Sequence, residues 1–310
     1  MHRNQYAVFG FAKFAALIWI TRPLNVLITG LSIFVAAVLV EPFRFTAPIG
    51  WAMLSGMLIA AGANVINDLY DIEIDKINRP QRILPAGRLT AQTARIFTIF
   101  LFACGNFFSI FINEVAAAIA ASNTLLLIIY TPCCKRRPMI GNLLVSTVTA
   151  MAFIFGAHAA AAGLARLNES AINKAVTDLS HWHQDWRAGI FPALFSFLFH
   201  FGREVIKDIE DQIGDRAVQA RTLPLTYGLR AAQIAATIAF ILLFVVTWLP
   251  FQLGIYRQSY FLLVLGGVDS VLLVALYVLW KNPVPLRMRQ ISALLKFDML
   301  IGLAAIYLGK

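Results

Sequence analysis

Long apolar runs, each closed by a short polar or basic connection, divide this sequence from one end to the other. They fall at about 15–40, 47–69, 92–112, 114–131, 141–164, 188–208, 231–250, 258–280 and 290–308, each close to the ~20 residues an α-helix needs to cross hydrocarbon. Backbone polar groups in hydrocarbon must be satisfied within the segment, so runs of this kind are helical. The pattern predicts an all-α polytopic membrane protein, a bundle of nine transmembrane helices, with residues 1–310 forming a single transmembrane domain. Arg22-Pro23 interrupts the first run, and no cleavage site follows it, which predicts a retained first helix.

Basic residues orient the bundle. Connections after even-numbered helices hold Lys76, Arg79, Arg82 and Arg88, then Lys135, Arg136 and Arg137, then Arg216, Arg221 and Arg230, then Lys281, Arg287 and Arg289. The other connections are poorer in base, so the rich ones and the N-terminus are expected on the cytoplasmic side of a cell or inner membrane. The longest polar connection, about 165–187, falls on the opposite side and reads as a surface loop or short cap. Its His181-x-His183 lacks the further ligands that a zinc site needs.

Composition agrees with this picture. The chain is 59% hydrophobic and 14% charged, with a mean hydropathy of +0.73, too apolar for a soluble domain of this length. The net charge of +10 suggests nucleic acid at first sight, but basic loops between membrane helices produce the same excess. The expected partner is the lipid bilayer, with no nucleic acid. Cys104, Cys133 and Cys134 have no spacing that suggests a zinc site, a disulfide framework or redox chemistry.

Two motif-bearing stretches, about 64–90 and 203–224, break the apolar pattern in a way packing does not explain. The first holds Asn67-Asp68-x-x-Asp71-x-x-x-Asp75 and the second Lys207-Asp208-x-x-Asp211-x-x-x-Asp215. At helical spacing Asn67, Asp71 and Asp75 share a face with Asp68 at its flank, while Glu73 points away. In the second, Glu204, Asp208, Asp211 and Asp215 share a face and Glu210 points away, provided Gly214 has not already ended the helix. The stretches also echo each other, since Arg82-Ile83-Leu84-Pro85 returns as Arg221-Thr222-Leu223-Pro224. An internal duplication with four helices between the copies puts both motifs on one side of the membrane.

Carboxylates near hydrocarbon need a cation. Oxygen ligands without fixed amines suit Mg2+, which is usually held by one or two carboxylates together with substrate phosphates. Arg79, Arg82 and Arg88 follow the first motif, and Arg203, Lys207 and Arg221 flank the second, placed to grip phosphate oxygens. A substrate with a diphosphate head and a long apolar tail would use the whole design. Asn25 either lines the same cavity or makes a helix cap or helix–helix hydrogen bond; Tyr130 and Lys135 are secondary candidates beside an interfacial-anchor reading. His158 and His200 read as hydrogen-bonded packing residues. An ion-coupled secondary transporter is the rival of another class, although transporters usually bind ions near the bilayer midplane.

These residues resemble the UbiA superfamily of intramembrane prenyltransferases. Asn67, Asp71 and Asp75 fit its Asn-x-x-x-Asp-x-x-x-Asp pattern, followed by Asn78-Arg79-Pro80 and Arg82, and Asp208, Asp211 and Asp215 match its second acidic cluster. Arg203-Glu204-x-x-Lys207-Asp208-Ile209-Glu210-Asp211 with Gly214-Asp215 is similar to the archaeal-type branch that forms digeranylgeranylglyceryl phosphate. Two departures stand out: Ile83 where the family commonly has proline, and the long connection at 167–187.

The resemblance implies transfer of a prenyl group, geranylgeranyl in this branch, from its diphosphate to a lipophilic acceptor, geranylgeranylglyceryl phosphate. An aromatic acceptor such as a hydroxybenzoate, a naphthoate or a chlorophyll-type precursor is the alternative. It further implies two Mg2+ held by Asn67, Asp68, Asp71, Asp75, Asp208, Asp211 and Asp215. Lys207 would join these aspartates in catalysis. Diphosphate would be gripped by Asn67, Asp68, Arg79, Arg82, Arg203 and Arg221, with Asn25, Tyr130 and Lys135 nearby.

Overall fold

A computed structural model describes residues 12–135, 137–167 and 185–310; Arg136 and the polar connection with His181 and His183 lie outside the described residues. Every extended element among the described residues is a helix. Eight helices are long and apolar enough to cross a membrane, or nine if the bent pair α1 (Ala12–Ile20) and α2 (Pro23–Val38) is one span. The others are α3 (Ala47–Tyr70), α5 (Ala91–Ile110), α6 (Glu114–Ile129), α7 (Ile140–Leu167), α8 (Ile190–Glu210), α11 (Leu229–Gln252), the span built from α12 (Gln258–Leu263) and α13 (Ser270–Lys281), and α14 (Pro285–Leu308). Short helices α4 (Ile72–Asn78), α9 (Gln212–Ala217) and α10 (Leu223–Tyr227) carry the motif-bearing connections.

The predicted first helix is in fact broken. α1 and α2 meet at 48°, with Arg22 in the left-handed region at φ 54°. Pro23 explains the break, because it has no N–H to continue the α1 ladder yet suits the first turn of a new helix. The break turns Arg22 into the bundle, where its guanidinium pairs with Asp68 on α3.

The echo between the two motif stretches extends to the backbone. α3 stops at Asp71 and α8 stops at Asp211, with nearly identical dihedrals of φ −94°, ψ 6° and φ −90°, ψ 3°. Each break is bridged in the same way, by Asp71 N–H to Asn67 and Asp75 N–H to Asp71 in one copy, and Asp211 N–H to Lys207 and Asp215 N–H to Asp211 in the other. The short helices beyond the breaks, α4 and α9, pack against each other.

Small residues let the spans approach closely, as packing in a membrane requires. α2 packs on α3 and α7, α3 on α5, and α8 on α7, α11 and α14. At Gly156 of α7 an added Cβ would lie 2.1 Å from the Ile33 carbonyl oxygen of α2. Gly156→Ala should therefore push α2 and α7 apart and lower thermal stability by about 1–3 kcal/mol. An unchanged melting temperature in detergent would contradict that packing.

Candidate active site

Where α3 and α8 end, their polar last turns face a shared cavity of about 400 Å3, within the size range of small-molecule sites. Its mouth is lined by Asn67, Asp71 and Asp75 from the first motif and by Lys207, Asp208, Asp211 and Asp215 from the second. Arg79, Arg82, Arg203, Asn25, Tyr130 and Lys135 line it too. Away from this mouth the wall turns apolar, with Phe153, Phe155, Phe195 and Phe199 among its residues. Sequence alone could not single these rings out among 24 phenylalanines.

Buried ion pairs hold the mouth together. Arg79 reaches from the end of α4 to Glu210 at 2.6 Å and Asp211 at 2.8 Å, with Asp75 at 3.9 Å. Arg82 folds back onto Asp75 at 2.6 Å and Asp68 at 3.4 Å. Lys135, in the connection after α6, pairs with Asp71. Lys207 donates to Glu204 at 2.7 Å, and Arg203 donates to the same carboxylate at 3.3 Å. Asp208 accepts from Asn142 of α7 at 3.0 Å. Asn78 closes the gap between the copies, donating to the Asp211 carbonyl at 3.2 Å and accepting from Gly214 N–H at 3.1 Å.

These contacts set the carboxyls apart. Burial pushes Asp75 and Asp211 above the usual carboxylate range, against the opposing pull of Arg82 on the first and Arg79 on the second. Burial acts on Asp71 in the same sense, but the Lys135 ammonium, together with Arg82 and Arg22 behind it, outweighs burial and holds the carboxyl below that range.

Glu210 stays off the cavity wall, as its spacing suggested, and pairs there with Arg79 from the end of α4. Two expected residues sit elsewhere than their spacing suggested. Asp68 is not on the cavity wall. It lies buried behind it, where it holds Arg22 and Arg82, so it orients those cations and is poorly placed as a metal ligand. Arg221 is exposed and does not line the cavity. In the connection between α9 and α10, Ala220 and Thr222 are buried while the intervening Arg221 is exposed.

Other readings hold. Glu73 faces outward and pairs with Lys76 at 2.7 Å. His158 lies 3.0 Å from the Asn113 side-chain oxygen, and His200 Nδ1 lies 2.8 Å from the Ser196 carbonyl oxygen, although His200 also reaches the cavity wall. Spacing missed Arg22, Asn64, Asn142 and Lys296, all on the wall. The one available signal was their polarity inside apolar runs, clearest for Lys296.

Together the fold and the site define an integral, multi-pass membrane protein in which a charged mouth opens onto an apolar interior. The profile of the UbiA prenyltransferase family matches residues 26–291, and the chain belongs to that family. It is thus an enzyme of prenyl transfer, which removes the transporter reading. Digeranylgeranylglyceryl phosphate synthase of Methanopyrus kandleri is 32% identical over 289 residues, which cover 92% of this chain and 96% of that one. A solved structure of a digeranylgeranylglyceryl phosphate synthase superposes with a TM-score of 0.70 at 28% identity, covering 96% of this chain and 98% of the other. A UbiA homologue from Archaeoglobus fulgidus, solved with GPP and Mg2+, shares the fold with a TM-score of 0.65 at 15% identity over 94% of this chain and 99% of its own.

Proposed function

We propose that this enzyme transfers a geranylgeranyl group from geranylgeranyl diphosphate to the free hydroxyl of geranylgeranylglyceryl phosphate, with Mg2+ as cofactor and the charged mouth on the cytoplasmic side. The observation that carries this reading is the pair of matched helix breaks, which aim two acidic motifs into one mouth joined to an apolar interior. The relatives named for this product support the acceptor, and the basic connections support the orientation.

The residues present fit Mg2+. Asn67 Oδ1 and Asp71 Oδ1 are buried on the cavity wall with no hydrogen-bond partner, oxygen ligands of the kind a hard cation takes. Among the described residues no three carboxylates already converge into a metal cage, as expected of a cation that shares its ligands with substrate phosphates. Asn67, Asp71, Asp75, Asp208, Asp211 and Asp215 would hold the ions. Bound there, Mg2+ supplies positive charge to the diphosphate oxygens as the leaving group forms.

The chain's own cations do the rest of the binding. Arg79, Arg82, Lys135 and Lys207 present N–H donors to the diphosphate at the mouth, and the carboxylates that now pair with them keep them aimed there. The C–O bond to the allylic carbon breaks, and diphosphate leaves with the electron pair. The acceptor hydroxyl oxygen forms the new C–O bond, and its proton passes to the departing diphosphate. Phe153, Phe155, Phe195 and Phe199 exclude water from the cation and offer their ring faces to it.

Incubating the purified protein and Mg2+ with prenyl diphosphates and candidate acceptors, then weighing the products, tests this directly. The expected product is digeranylgeranylglyceryl phosphate, lost when Mg2+ is chelated and regained when it is restored. A prenylated aromatic acid with no glycerol phosphate product would overturn the acceptor assignment, and full turnover in excess chelator would overturn the metal role.

A further inference from the structure

Every other Lys or Arg on the cavity wall is paired with a carboxylate. Arg22 has Asp68, Arg79 has Glu210 and Asp211, Arg82 has Asp75, Lys135 has Asp71, and Arg203 and Lys207 share Glu204. Lys296 has no such partner. It sits in the middle of α14, lines the cavity, and makes no ion pair or hydrogen bond among the described residues. The charged groups that act on its ammonium are Arg203, Arg22 and Lys207, all cations.

An ammonium inside a membrane span is costly and normally finds a carboxylate or carbonyl. α14 instead presents Lys296 to the cationic side of α8. Ser292, one turn earlier on α14, accepts from Arg203 Nε at 3.4 Å, which brings the Lys296 turn alongside Arg203. Arg203 and Lys207 are themselves one turn apart on α8 and both pair with Glu204. With Lys207 serving the mouth, Lys296 and Arg203 facing Glu204 leave this corner with a net charge of +1. A phosphate monoester carries about −1.5 to −2 near pH 7 and offers three acceptor oxygens, so it complements the corner in the sign of its charge and finds N–H donors there. None of the aspartates of the two motifs belongs to it, and the donor diphosphate already has Arg79, Arg82, Lys135 and Lys207 at the mouth.

We infer that Lys296, with Arg203 beside it, forms a second anion site that takes the phosphate monoester of the acceptor, apart from the site that holds the donor diphosphate. This rests on the proposed glycerol phosphate acceptor. It explains how one cavity tells two phosphorylated isoprenoids apart: diphosphate goes to the metal-binding carboxylates at the end of α3 and α8, and monoester goes to the metal-free cationic corner between α8 and α14.

Lys296→Met and Lys296→Arg in the full-length protein, reconstituted in phosphatidylcholine, test the site. In Lys296→Met the KM for the phosphorylated acceptor should rise at least tenfold, and the KM for the prenyl diphosphate should stay within twofold. Lys296→Arg should restore most of the acceptor KM. An alkylglycerol phosphate probe, without Mg2+ or donor, should bind the Met variant at least tenfold more weakly than wild type, and the same ether lacking its phosphate should not distinguish the two. Phosphatidylglycerol that competes as well as the probe would make the corner a lipid-headgroup site and overturn the inference. So would an unchanged acceptor KM, or a rise confined to the donor. Wild-type protein that prenylates only an aromatic acceptor overturns the proposed function and this site with it. Wild-type protein that makes the glycerol phosphate product, beside an unaffected Met variant, overturns the site alone.

Discussion

Asp71→Asn and Asp208→Asn should each lower kcat/KM for prenyl transfer at least 1000-fold, and Asp208→Asn should keep its wild-type melting behaviour. The amide preserves the size of the side chain and an oxygen for its present partner, Lys135 for Asp71 and Asn142 Nδ2 for Asp208. What it removes is the negative charge that draws a divalent cation to the mouth. A 1000-fold loss corresponds to about 4 kcal/mol of transition-state stabilisation, in keeping with losing the charge complement of a leaving diphosphate. Stability should hold in Asp208→Asn, because an amide costs less to bury than a carboxylate and Asp208 has no cation partner, and should fall in Asp71→Asn, which leaves the Lys135 ammonium without its charge partner. Steady-state kinetics beside a thermal melt separates the two effects. Turnover within tenfold of wild type would remove either aspartate from the catalytic set, and a collapsed melt in Asp208→Asn would make that residue structural.

Unlike Asp208→Asn, Arg79→Met should lose activity and stability together. Arg79 is the one described cation that joins the two motif copies directly, from α4 to Glu210 and Asp211. Its side chain is only 16% exposed, so its removal leaves two carboxylates facing each other in a dry place. Breaking a buried pair in this way typically costs about 3–5 kcal/mol. For a chain of this size the melting temperature should fall by on the order of 10 °C. Adding Glu210→Gln to Arg79→Met should recover part of that loss by removing one of the stranded charges, without recovering turnover. If Arg79→Met melts like wild type, the inter-motif bridge is not what holds the mouth closed.

The spans were readable from the chain because hydrophobicity is local and cumulative: about 20 apolar residues in a row commit to a helix whatever surrounds them. The same locality made the acidic columns readable, since Asn67, Asp71 and Asp75 are four residues apart wherever the helix goes. Arg22-Pro23 shows in the sequence as an interruption of the first run, but the size of the bend it makes depends on backbone dihedrals that residue type alone does not give. The wheel put Glu210 off the cavity-facing column correctly, but it could not show that Arg79 would meet it there, since that partner comes from α4. Arg221 matches Arg82 in the echo of Leu-Pro, but an echo in sequence does not carry side-chain direction: Arg82 folds back onto Asp75 while Arg221 lies exposed.

By itself, the sequence determined that the chain is a membrane bundle with two acidic motifs, each followed by cations, because those features depend on residue type and spacing within one segment. Only the tertiary structure decided which cation meets which carboxylate. Arg79 finds Glu210 across 131 residues, Asp68 is drawn behind the wall to hold Arg22, and Lys296 is left facing other cations. Those outcomes depend on where three helices break and how closely small residues let their neighbours approach, and such distances are properties of the packed bundle.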